Sequence, residues 1–189
     1  MSILTDKLPD YVVVEGREYQ VYTDYRNWVN IELMLSSGTT TAEGLAEVLE
    51  LCYVDALPPS LDLALQGLYK FYTCGKQPVE KSHKLSKNKA IYNFDVDAEY
   101  IYSAFLSQYQ IDLQTADLHW WTFRSLFTSL NEDNMIVKIM QYRVMDISKI
   151  KDKQQKAYYR KLKRKFALPD MRTTEQKERD MMAVIDRMV

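Results

Sequence analysis

Residues 94–130 read FDVDAEYIYSAFLSQYQIDLQTADLHWWTFRSLFTSL, and no other stretch constrains the fold as tightly. Trp120, Trp121, Phe123, Leu126, Phe127 and Leu130 fall within about three helical turns and face more than one side. A helix that is apolar around much of its girth belongs inside a protein. Each large side chain contributes about 1.5–3 kcal/mol on burial. This segment is therefore the expected centre of the core, with Trp121 the indole whose loss should unfold it. A second helix precedes it, because Ile101, Phe105 and Tyr109 recur every four residues beside Tyr102 and Leu106. Asp95 or Asp97 is placed to cap the first helix, and Thr115 or Asp117 the second.

Three features of this stretch carry chemistry. His119 lies beside two tryptophans but has no His, Cys or carboxylate at ligand spacing, so it is expected to be packed or hydrogen-bonded. Asp95, Asp97 and Glu99 resemble the start of a calcium loop, yet the Gly at position six and the Glu at twelve are missing. The aromatic cluster could stack bases, but aromatics at helical spacing are more often core. No metal, cofactor or catalytic set is expected. A nucleophile–base pair and a phosphate loop are not apparent either, so the chain reads as a non-enzyme.

The rest of the chain surrounds this centre. Residues 11–14 and 18–22 alternate around Glu15 and Gly16 and predict a β-hairpin. Thr23 or Asp24 then caps a helix with Trp28, Ile31 and Leu35 on its buried side. Thr40, Thr41 and Glu43 have capping-box spacing ahead of Leu45, Val48, Leu49 and Cys52. Pro58 and Pro59 break the chain, and Ser60 caps a helix facing inward through Leu61, Leu65, Leu68 and Tyr72, closed by Gly75. Residues 76–89, which include His83, are polar and lysine-rich and read as an exposed loop or a segment ordered by a partner. Met135, Ile136, Ile139, Met140 and Arg143 line one side of a later helix, and Asp146 or Ser148 offers the next cap.

Charge is distributed unevenly. Residues 149–165 hold nine Lys or Arg against one acid, Asp152. That gives a formal charge of +8 and leaves −9 for the rest of a chain whose net charge is −1. The segment reads as an amphipathic helix docked on the acidic remainder. The alternatives are an acidic protein partner or nucleic acid contacted through Arg160, Lys161, Lys163 and Arg164. After Leu168 and Pro169, a terminal stripe of Met181, Val184, Ile185 and Met188 predicts a last helix.

The fold class expected is mainly α: a multi-helix globular domain with a short N-terminal β-hairpin. Trp28, Ile101, Phe105, Trp120, Trp121, Phe123 and Phe127 are its expected core. Residues 1–147 form the hairpin and helical core, and residues 148–189 form the basic and C-terminal helices, appended to the core or docked on it. Five Gly and five Pro in 189 residues favour helices over many turns. With no signal pattern and no 18-residue apolar run, a soluble, cytoplasmic protein is expected. Cys52 and Cys74 are then expected to be free thiols.

Several segments together resemble one family. They are residues 23–28 after the hairpin, residues 71–76, residues 97–105 with 111–113 and 118–123, and Tyr142–Arg143 with the lysine-rich segment to Leu168. The chain resembles the bacteriophage gp-fifteen family of tailed phages and prophages of Gram-positive bacteria. The resemblance implies a role like that of tail-assembly chaperones in the host cytoplasm. Its partners would be the phage tape measure protein and the tail tube protein, with homo-oligomer formation open, no membrane and nucleic acid disfavoured. It brings no catalytic or binding residues. Methionine-rich stripes are candidates for an adaptable groove, so Met135, Met140, Met181 and Ile185, with Arg160, Lys161, Lys163 and Arg164, are the expected partner-binding residues. The second reading is a nucleic-acid-binding or packaging accessory protein acting through residues 149–165.

Overall fold

A computed structural model describes residues 3–36, 42–76 and 90–169. Strands β1 (Tyr11–Val14) and β2 (Arg17–Gln20) pair antiparallel, with Val12 opposite Tyr19. Glu15 and Gly16 both take positive φ, 50° and 78°, which matches the twist of a two-residue hairpin turn. Val12, Val14 and Tyr19 are buried on one face. A lone hairpin is marginal in water; here that face rests on a helix.

Seven α-helices follow among the described residues. They are α1 (Tyr25–Ser36), α2 (Ala42–Cys52), α3 (Leu61–Tyr72), α4 (Ala98–Tyr109), α5 (Trp120–Thr128), α6 (Met135–Val144) and α7 (Lys153–Lys165). A 3-10 turn, Ile147–Lys149, separates the last two. The mainly α class with one N-terminal hairpin is thus the observed one. Ser60 caps α3 through its hydroxyl, which accepts from the Leu63 N–H.

Several local expectations need correction. The buried face of α3 is Ala64, Gly67, Leu68 and Phe71, whereas Leu61 is 47% exposed. The small residues win because they admit the hairpin: a Cβ on Gly67 would lie 3.1 Å from Val14 Cγ2 and 3.0 Å from the Tyr53 hydroxyl. Leu35, at the end of α1, is also exposed. The cap of α5 is His119, not Thr115 or Asp117. Asp97 occupies the cap position of α4 but makes no side-chain cap bond. Asp146 caps the 3-10 turn, and Asp152 caps α7 by accepting from the Gln155 N–H at 2.7 Å.

The central position belongs to Trp120 rather than Trp121. Trp120 is 0% exposed and Trp121 is half-buried. Successive residues on a helix point about 100° apart, so only one of the pair can face the centre. Phe123 lies sandwiched between Tyr25 and Phe105, with ring centroids 4.7 and 5.0 Å away. Trp28 stacks on Phe71 at 4.9 Å and on Trp120 at 6.1 Å. Ile101 and Phe127 are buried as well. Thr40 and Thr41, loop residues 77–89 with His83, and the terminal stripe with Met181 and Ile185 lie outside the described residues.

Candidate functional site

The chemistry-bearing side chains of the core are bound to the scaffold. His119 Nδ1 accepts the Trp121 N–H at 3.0 Å, which leaves the proton on Nε2 to bond the Pro9 carbonyl at 2.9 Å. Burial lowers its pKa below the usual histidine value, partly opposed by the Pro9 bond and Asp10. The ring therefore serves as a neutral link from the N-terminal segment to α5. Asp97, 1% exposed, takes a bidentate pair from Arg143 at 2.6 and 2.9 Å and also accepts the Asn93 N–H. Arg143 in turn donates to the Phe166 and Ile91 carbonyls.

A third network joins α1, α3 and α5. Tyr72 donates to Glu32 at 2.6 Å, and Arg124 donates to the Tyr92 hydroxyl at 3.0 Å. The Arg124 guanidinium lies over the rings of Tyr72 and Trp120. Burial, and then the Glu32 bond, push the Tyr72 hydroxyl well above the usual tyrosine range, so it stays a hydrogen-bond donor. Among the described residues, no buried side-chain nitrogen or oxygen lacks a hydrogen-bond partner. Cys52 and Cys74 are free thiols, and burial pushes Cys52 up to about 12.

Among the described residues, a groove of about 840 Å³ is bounded by α1, α2 and α3. Trp28, Val48, Cys52 and Leu68 form its floor, while Leu35 and Tyr69 stand at its rim, 47% and 52% exposed. Sequence reasoning missed this site because it turned Leu35 inward and gave Leu65 and Tyr72 to the core alone, whereas those two pack against the core and also line the groove. The usable signal was α3 itself, which is apolar along Leu61, Leu65 and Tyr69 as well as along Ala64, Leu68 and Phe71. One of those two sides had to face something other than the core.

Of the expected partner-binding residues, those among the described residues lie on α6 and α7. Met135 is 39% exposed at the start of α6, while Met140 is half-buried against the core. Arg160, Lys161 and Arg164 are exposed on α7. Lys163 instead turns inward, and its ammonium donates to the Met145 carbonyl at 2.8 Å. Tyr142 meets Tyr159 and Phe166, seating α7 on α6. No helix of the described residues is long and apolar enough to cross a membrane.

Among the described residues, the fold and these surfaces define a mainly α protein that carries an apolar groove and a basic helix face. The model of the family described as Bacteriophage Gp15 protein matches residues 4–168, which take in the hairpin and all seven helices. The chain belongs to that bacteriophage family. No curated protein and no solved structure matches it.

Proposed function

We propose that this phage protein is a non-enzymatic, tail-assembly chaperone-like protein that binds the tape measure protein and assists tail tube assembly. Its support is the family match over residues 4–168, together with the tail-assembly role that the family resemblance implies. The structure is compatible with it in one respect. His119, Asp97, Arg143 and Arg124 are engaged in holding the scaffold, while the apolar and charged surfaces left over suit contact with another protein. The host cytoplasm is the compartment that this reading requires.

Co-expression tests it. The tape measure protein of the same phage should become more soluble and co-purify with this chain. Unchanged solubility with no co-purification would remove the reading.

A nucleic-acid role has its own observation: α7 exposes Arg160, Lys161, Arg164 and Lys165 next to Tyr158, which is 58% exposed. DNA affinity that falls steeply with salt, and is lost when Arg160, Lys161 and Arg164 become Ala, would favour it. Lys163 is best left in place, because its bond to Met145 is structural.

A further inference from the structure

We infer that the groove between α1 and α3 is a docking site for one amphipathic helix of another protein, with an apolar stripe flanked by Lys or Arg. The groove has the shape of an incomplete bundle. The helix α2 packs against both α1 and α3, and the trough beyond it has the floor and rims of a helix-receiving site. Leu35, Leu65 and Tyr69 offer apolar contacts along its length, with Ser36 and Gln66 as the neutral polar positions. Because its rim side chains reach solvent, the groove is a surface trough rather than an enclosed chamber for a small molecule.

Charge selects the occupant. The lining includes two carboxylates and no Lys or Arg: Asp62, and Glu32, which accepts from Tyr72 and lies in the field of Arg124 on α5. Of the two cations on these three helices, Arg26 is bound to Asp24 and to the carbonyls of Leu113 and Ala116, which leaves Lys70 in the last turn of α3. Exposed Glu47 and Glu50 on α2 add to the negative field. A helix with basic flanks meets that field favourably, and one with acidic flanks is repelled.

The chain's own candidates fit less well. Its basic helix α7 is seated on α6 through Tyr159 and Phe166, and the side left exposed offers only Ala157 and Tyr158 as apolar contacts. Residues 170–189 hold five carboxylates against four Lys or Arg, so charge gives them no preference for this groove. The inference deepens the chaperone reading by placing the client helix and stating its chemistry, and it rests on that reading for a helical client.

The probe is a labelled peptide of about 18 residues, with Leu at helical spacing and Lys on both flanks. A second peptide carries Glu in place of Lys. Fluorescence anisotropy with the full chain should show the Lys peptide binding at least about tenfold tighter than the Glu peptide. The variant L35S/Y69S removes the apolar side chains of two exposed rim residues without adding charge. It should keep the parent's thermal transition and lose about tenfold or more in affinity for the Lys peptide. Equal binding of the two peptides, or undiminished binding to the variant, would overturn the assignment. So would failure of the Lys peptide to bind, whether because a second copy of the chain or its own C-terminal segment fills the groove; sedimentation of parent and variant identifies the former. If the variant still co-purifies with the tape measure protein, the groove assignment falls and the chaperone reading stands. Peptide binding without any retention of the tape measure protein gives the reverse.

Discussion

The pair Asp97 and Arg143 is buried so deeply that each charge depends on the other: their side chains are 1% and 7% exposed. Removing one partner strands the other, which costs about 3–5 kcal/mol. Asp97→Asn and Arg143→Met should each lower urea stability by about that amount, and the double variant D97N/R143M should lose less than the sum of the two. Trp120→Ala should cost about 3–5 kcal/mol, and Trp121→Ala clearly less, since Trp121 is half-buried and keeps solvent on one side. Chemical denaturation of the two single variants checks the order. His119 predicts a pH effect. Its folded pKa is lowered by burial, so on acidification the unfolded chain takes up the proton first. Its contribution is complete above about pH 6.5 and is lost as pH falls through that value toward the folded pKa. His119→Asn keeps a residue suited to capping but cannot titrate. It should lose less stability than the parent between about pH 7 and 5, as urea titrations at the two pH values would show.

At the scale of elements, the contact of α3 with the hairpin decides which side of α3 is inside. Gly67 is the point of closest approach. Gly67→Ala gains about 1 kcal/mol of helix propensity. Forcing a methyl against Val12, Val14 and the Tyr53 hydroxyl costs about 1–3 kcal/mol. The crowding should prevail, because the Tyr53 hydroxyl is held by its bond to the Ala64 carbonyl. A lower melting temperature is expected; a higher one would mean the hairpin yields. This packing was not legible in the period of α3. Its apolar residues cover two sides, and only the small side chains at Ala64 and Gly67, together with the hairpin's own need for a partner, mark the inner one.

At the scale of the molecule, α7 is coupled to the core through single polar bonds and ring contacts. Arg143 joins Asp97 to the Phe166 carbonyl, and Lys163 reaches the Met145 carbonyl. Hydrogen exchange should therefore show a specific pattern: Arg143→Met should expose the amides at the C-terminal end of α7 while α1 keeps its protection. Equal protection in parent and variant would mean that the ring contacts of Tyr142 alone hold the helix. The segregation of charge also takes shape at this scale. Lys153, Arg160, Lys161, Arg164 and Lys165 of the positive segment stand exposed on α7, and the groove with its carboxylates belongs to α1, α2 and α3.

The sequence alone determined the helical class, the hairpin, the aromatic centre around residues 94–130 and the family, because periodicity, turn chemistry and short motifs are local properties. Tertiary structure decided which tryptophan is innermost, which side of α3 is covered, what Asp97 pairs with and where a concave apolar surface remains. Those outcomes depend on which distant segments meet. The partner of Asp97 lies 46 positions away, and the face of α3 is chosen by a hairpin from the other side of α1 and α2. A one-dimensional pattern fixes the kinds of faces a helix has, whereas only the packed arrangement settles which face is buried.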